Sequence, residues 1–160
     1  MNKNLIKRGV GVAIYRTKQN KEIEFLLLHR IENWVGWSIL KGGIEEGETQ
    51  RKTVIREMEE ELNINNMLIK KIFPIHHTFD FVYPPEMKKK FKIARTFSWA
   101  VELPLKEGII KVDYKEHDDF IWASLEQTVS LLTLKDHRNI ILKAEPVINQ
   151  QTKRPNKSKD

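Results

Sequence analysis

Residues 42–64 read GGIEEGETQRKTVIREMEEELNI, and the helical part of this stretch breaks a rule that ordinary surface helices obey. Glu57, Glu59, Glu60 and Glu61 crowd its last turns, whereas Arg51 and Lys52 stand near its start. A helix macrodipole favours the reverse, with anions at the positive N-terminus and cations at the other end. Like charges three or four residues apart add roughly 0.2–0.5 kcal/mol of repulsion per pair on an exposed helix. A sequence that carries this cost is expected to hold something that offsets it, and a divalent cation would do so.

At 3.6 residues per turn, Val54, Ile55, Met58 and Leu62 form an apolar stripe. Glu57, Glu60 and Glu61 fall on one face beside that stripe, while Glu59 points elsewhere. Three carboxylates at i, i+3 and i+4 can therefore converge on one point next to the core. Hard oxygen ligands suit Mg²⁺ or Mn²⁺, and Mg²⁺ characteristically bridges to substrate phosphates. A solvated acidic face is the plain alternative for the helix taken alone.

The chain has 160 residues, 40% of them hydrophobic, with four tryptophans and no cysteine. That is enough for one folded domain, expected over residues 1–150. No apolar run is long enough to span a bilayer, and no secretory leader is read at the start. Absence of cysteine excludes a disulfide framework or a thiolate metal site; a cytoplasmic protein with no membrane partner is expected. The net charge of +6 points at first toward nucleic acid. However, three of those positives come from Lys3, Lys7 and Arg8. Three more are the net of Lys153, Arg154, Lys157, Lys159 and Asp160, so residues 9–150 are neutral. The basic stretch 151–160 lacks apolar anchors and is expected to be a disordered tail.

Residues 8–16 and 22–30 read as strands joined by a polar turn at residues 18–21. A short strand is expected from Trp37 to Leu40, then a helix from Thr49 to Leu62 closed by Asn63 in the left-handed conformation. Residues 67–83 form an interrupted strand with Pro74 at an edge or bulge. Further strands are expected at 93–103 and 120–123. Two helices follow, at 125–132 and 136–143, the second ended by Pro146. Strands with interspersed helices argue an α/β fold with a mixed sheet covered by helices.

Taken together, Gly42, Glu48, Arg56-Glu57, Glu60-Glu61 and Asn63-Ile64 at their spacing resemble the Nudix box, the signature of the Nudix hydrolases. One position departs: Asn63 stands where the family usually has glycine, and Asn can supply the same cap. The resemblance implies a Nudix-type α/β/α sandwich with a mixed central sheet and Mg²⁺- or Mn²⁺-dependent hydrolysis of a nucleoside diphosphate linked to another moiety. By the family pattern Glu57, Glu60 and Glu61 would be metal ligands, helped by the backbone carbonyl of Lys41. Arg56 would pair with Glu48 to brace loop against helix.

EIEFLLLHR, WSILKGGIEEGET, RTFSWAVEL and KEHDDFIWASLEQ are similar to the asymmetrical diadenosine tetraphosphate hydrolases. That likeness implies hydrolysis of diadenosine tetraphosphate to ATP and AMP; a monomer is expected. It implies that Lys41 contacts phosphate and that Glu116, in the pair Glu116-His117, binds metal or activates water; a surface loop acid is the alternative for Glu116. Among substrate-binding candidates, Lys88 and Lys90 stand in a lysine run beside the Pro84-Pro85 bend, with a solvated loop as the alternative, and Tyr83 and Tyr114 are candidate base-stacking rings. His76 and His77 are adjacent in a strand, so they point to opposite faces and only one, His77, is a phosphate-binding candidate. Two rival functions are a 5′ pyrophosphohydrolase acting on RNA ends and a non-catalytic nucleotide-binding module. The second is disfavoured because all three glutamates are present.

Overall fold

The computed structural model describes residues 5–87 and 89–153. Seven strands form one mixed sheet: β1 (Ile6–Thr17), β2 (Ile23–Arg30), β3 (Gly36–Ser38), β4 (Leu40–Gly43), β5 (Lys71–Val82), β6 (Ile93–Glu102) and β7 (His117–Ala123). The order is β3-β2-β1-β6-β5, with β4 paired to β1 and β7 to β2. Among the paired strands described, the long β1–β6 pairing is parallel and the others are antiparallel. Three helices, α1 (Gln50–Leu62), α2 (Leu125–Leu131) and α3 (Lys135–Lys153), cover the two faces.

Strand alternation sorts the core into two halves. Val10, Val12 and Ile14 of β1, Leu26 and Leu28 of β2, and Trp99 and Val101 of β6 pack with Val54, Met58 and Leu62 of α1. The intervening residues, Ala13, Tyr15, Phe25, Leu27 and Ala100, pack with Ile140, Ile141, Ala144 and Ile148 of α3. A period of two along each strand is what buries both faces of one sheet. The result is the α/β/α sandwich expected from the sequence.

Several expectations hold in detail. Asn63 takes φ 55° and ψ 31°, and its N–H donates to the Glu59 carbonyl at 3.0 Å. Pro74 lies on the edge strand β5, beside a register shift between Pro74 and Thr78. Others change. The strand expected at 37–40 is two short strands: the chain pairs with β2 up to Ser38, then with β1 from Leu40. It does so because β2 meets β1 only at Tyr15–Thr17, leaving Gly9–Val12 on that edge for β4.

Pro146 does not end the last helix but sits inside it. An interior proline costs about 3 kcal/mol or more. Here the apolar stripe continues beyond it through Val147 and Ile148 on the α3 face of the core, and that burial offsets the loss. Residues 151–153, expected as tail, belong to this helix, and 154–160 lie outside the described residues.

The Asn63 side chain also does what glycine there cannot. Its Nδ2 donates to the Lys111 carbonyl at 3.0 Å, tying the loop after β6 to the end of α1. Asn63→Ala is therefore predicted to destabilise the protein by about 1–2 kcal/mol, from left-handed strain plus the lost bond. Asn63→Gly should cost under about 1 kcal/mol, because glycine removes the strain. Urea denaturation of the two variants checks the order; equal losses would contradict it.

Candidate active site

The start of α1 is organised around one guanidinium. Thr49 caps the helix, accepting from the Lys52 N–H at 3.2 Å. Arg56, nearly two turns in, donates Nε to Glu48 Oε2 at 2.7 Å and Nη2 to Glu48 Oε1 at 2.9 Å. The same Nη2 donates to the Gly43 carbonyl at 2.8 Å, and Nη1 to Glu57 Oε1 at 2.9 Å and Glu60 Oε2 at 3.2 Å. Thr53 Oγ1 adds a bond to Glu48 Oε1 at 2.7 Å. Arg56 first, then Thr53, hold the Glu48 carboxyl down to about 2, and Glu48 in turn raises Arg56. Loop and helix are thus locked together by a bidentate pair.

Gly42 is needed for a steric reason. A Cβ there would overlap Cγ and Cδ of Glu57, so the glutamate lies directly across the glycine. Glu57 and Glu61 are buried, whereas the Glu60 side chain is 55% exposed. Burial pushes Glu57 up to about 7 despite the opposing pull of Arg56, and the charges of Glu60 and Glu61 add to the rise. The three-carboxylate face expected on the helical wheel is present, turned further into the protein than an amphipathic stripe would place it.

The loop before β7 brings in a fourth acid. Lys111 N–H donates to the Leu62 carbonyl at 3.0 Å and Asp113 N–H to the Glu61 carbonyl at 2.9 Å. These bonds satisfy carbonyls that a helix end leaves open. They also fix the chain so that Glu116, whose carbonyl accepts from the Ile31 N–H at 2.9 Å, faces Glu61. Burial, then the Glu61 charge, raises the Glu116 carboxyl.

These acids line a cleft of about 470 Å³ together with Lys7, Arg8, Arg30, Lys41 and Arg95. Arg95 is held by Asp80 through two bonds of 2.8 Å. Surrounding protein lowers the Lys41 ammonium, with Arg30 and Lys7 acting in the same sense and Asp136 opposing. Trp34 and Tyr83 supply aromatic walls, and His137 is buried against the cleft. Burial, then Lys41 and Arg30, push His137 down to about 3, so its imidazole is neutral.

Of the residues singled out from sequence, Lys41, Glu57, Glu60, Glu61, Tyr83 and Glu116 line this cleft; Glu48 and Arg56 brace it from behind. His77 does not line it. The β5 bulge puts His76 at φ 60°, which interrupts the alternation assumed for the pair, and His77 packs edge-on to Phe79 at 4.2 Å. Lys90 lies over Phe91 at 5.7 Å, also outside the cleft, and Tyr114 is largely solvent-exposed. Lys88 falls outside the described residues.

Sequence reasoning missed Arg8 and Arg30, which flank strand ends, and Trp34 and His137, which come together from a loop and α3. Proximity of Lys7-Arg8 to the glycine bend follows from the pairing of Gly9 with Gly43, a signal that required the register. Glu57, Glu60 and Glu61 offer oxygen donors, and Arg56 leaves most of their charge uncompensated, which fits a hard divalent cation.

Comparison with known proteins places these features. A family model described as NUDIX domain matches residues 5–144. The chain is 30% identical over 154 residues to an RNA pyrophosphohydrolase of Sulfurovum, covering 88% of this chain and 93% of the relative. It is 26% identical over 140 residues to the asymmetrical bis(5′-nucleosyl)-tetraphosphatase of Sus scrofa, covering 84% and 90%. The C. elegans Ap4A hydrolase structure superposes with a TM-score of 0.71 at 23% identity, covering 90% of this chain and 98% of that one.

The raised Glu57 carries a pH prediction. The folded state keeps its proton to about 7 while the unfolded state loses it near 4.5, so folding binds protons in that interval. Metal-free protein should therefore lose stability as pH rises from about 4.5 to 7, by on the order of 3 kcal/mol, and level off above. Millimolar Mn²⁺ should restore the loss at pH 7, and Glu57→Gln should remove most of it, leaving the smaller part due to Glu116. Thermal melts across pH with and without metal check this; a metal-free Tm that is flat over the interval would contradict it.

Proposed function

The chain belongs to the Nudix family and acts as a hydrolase on nucleoside polyphosphates; from that premise we propose that it hydrolyses diadenosine tetraphosphate to ATP and AMP with Mg²⁺ or Mn²⁺. The observation carrying this reading is one cleft in which Glu57, Glu60, Glu61 and Glu116 face Lys7, Arg8, Arg30 and Lys41. Such a cleft suits a polyphosphate bridged to the protein by a cation on one side and ammonium and guanidinium groups on the other. Trp34 and Tyr83, both on its walls, offer an apolar ring for each of two nucleosides.

Glu57, Glu60 and Glu61, with the Lys41 carbonyl, would hold the cation. When bound, it neutralises phosphate charge and acidifies water. Lys41 and Arg30 hold the phosphate oxygens, and Arg56 keeps Glu57 and Glu60 aimed at the cleft. Glu116, with its raised carboxyl, is placed to take the proton as water oxygen bonds to phosphorus and the bridging P–O bond breaks. We place this activity in a cytoplasmic monomer. No helix among the described residues is long and apolar enough to cross a membrane.

A second reading, pyrophosphate removal from RNA 5′ ends, is favoured by the RNA pyrophosphohydrolase relative and by the basic residues at both chain ends. Both substrates present a 5′-linked run of phosphates, so the same cleft serves either.

Glu60→Gln should lower turnover of diadenosine tetraphosphate by roughly a hundredfold or more while leaving the circular dichroism melt intact. Wild-type turnover in that variant would overturn the site assignment. Chromatography of the wild-type reaction should give ATP and AMP in equal amounts; two ADP would contradict asymmetrical cleavage. If 5′-triphosphorylated RNA is the substrate instead, its turnover should fall about tenfold or more on deleting residues 154–160 or raising salt.

A further inference from the structure

His117 follows Glu116 in the chain and faces Glu61, yet the hydrolytic reading gives its imidazole no task. It is 3% exposed, and among the described residues neither ring nitrogen has a hydrogen-bond partner. Nδ1 lies 3.6 Å from Glu61 Oε2, which is also buried and without a partner. That separation is too long for a hydrogen bond and leaves Nε2 unaccounted for as well. Buried polar atoms in folded proteins nearly always find partners, so orphans that face one another mark a place built for something between them.

The distances say what fits. Donor atoms of Glu61, Glu116 and His117 lie within 4.8 Å of one another. A cation bonded at about 2.0–2.2 Å needs donor pairs roughly 3 to 4 Å apart, which the Nδ1–Oε2 pair already satisfies. The chemistry then narrows the ion. Mg²⁺ takes oxygen ligands and keeps its waters, whereas imidazole nitrogen suits later first-row ions.

We propose that Glu61, Glu116 and His117 form a mixed nitrogen–oxygen cation site that takes a borderline divalent ion, Mn²⁺, Co²⁺ or Zn²⁺, in preference to Mg²⁺. The site rests on the reading of Glu57, Glu60 and Glu61 as a cation-holding face, because Glu61 is shared. It differs in having a nitrogen donor, and in being anchored to the backbone bonds that tie residues 111–113 to the end of α1. One consequence is a metal preference: the Glu57–Glu60 side accepts Mg²⁺, while the His117 side discriminates against it.

Pulsed electron paramagnetic resonance of the full chain loaded with Mn²⁺ tests this without any variant. The expected result is nitrogen hyperfine coupling from a directly bound imidazole. That coupling should vanish in His117→Gln and persist in His137→Gln, which removes the buried histidine that lines the cleft. Titration calorimetry should show Mn²⁺ favoured over Mg²⁺ by about tenfold or more in the wild type, with the gap largely closed in His117→Gln. Bound Mn²⁺ with oxygen and water couplings alone would overturn the inference while leaving the cation-holding face intact. A coupling that follows His137 would overturn it too. Failure of Mn²⁺ to bind at all would overturn both readings together.

Discussion

All five N–H donors of Arg56 are engaged: two on Glu48, one on the Gly43 carbonyl, and one each on Glu57 and Glu60. The rest of the site depends on this one side chain. It fixes the loop that follows β4 to the helix that follows the loop, and it aims two carboxylates into the cleft. A lysine could not replace it, because an ammonium lacks the planar fork that grips Glu48 with two bonds while reaching three other acceptors. Arg56 is itself half-buried, so losing Glu48 would leave a partly desolvated cation among acids and a loop with no anchor.

Around that anchor the protein accumulates costs at one place. Glu57 and Glu61 are buried near each other, Glu61 also faces Glu116, and the helix carries its acids at the wrong end for its dipole. Gly42 gives up a side chain so that Glu57 can lie across it, and Asn63 holds a left-handed conformation to seat the loop carrying Glu116 and His117. The crowded, partly buried acids do not stabilise a metal-free fold. Each makes sense as preorganisation: the acids are kept close, partly dry and aimed before a ligand arrives, and the rigid sandwich behind them supports the strain.

Much of this was legible because it is local. The glutamate helix, its Asn63 cap, the glycine bend and the first hairpin all follow from spacing within about twenty residues, where periodicity and dipole arguments apply. The Arg56–Glu48 pair was implied by the family resemblance rather than by periodicity, and the structure forms it. What escaped was set by packing between distant segments. Pro146 reads as a helix stop by its missing N–H, but Val147 and Ile148 keep the stripe against the sheet. His77 reads as one of an alternating pair, but the β5 bulge removes the alternation. Trp34 and His137 meet because the loop after β2 and α3 come together, 103 residues apart in the chain. No short-range signal marks any of these.

The central claim is that Glu57, Glu60 and Glu61 gather a divalent cation in front of the Gly42–Gly43 bend. Anomalous diffraction from crystals soaked in Mn²⁺ addresses it directly. The account predicts a manganese peak within bonding distance of carboxylate oxygens from these residues, on the cleft side of α1. A fully soaked crystal with no peak there, or with manganese held only by acids elsewhere on the surface, would contradict it.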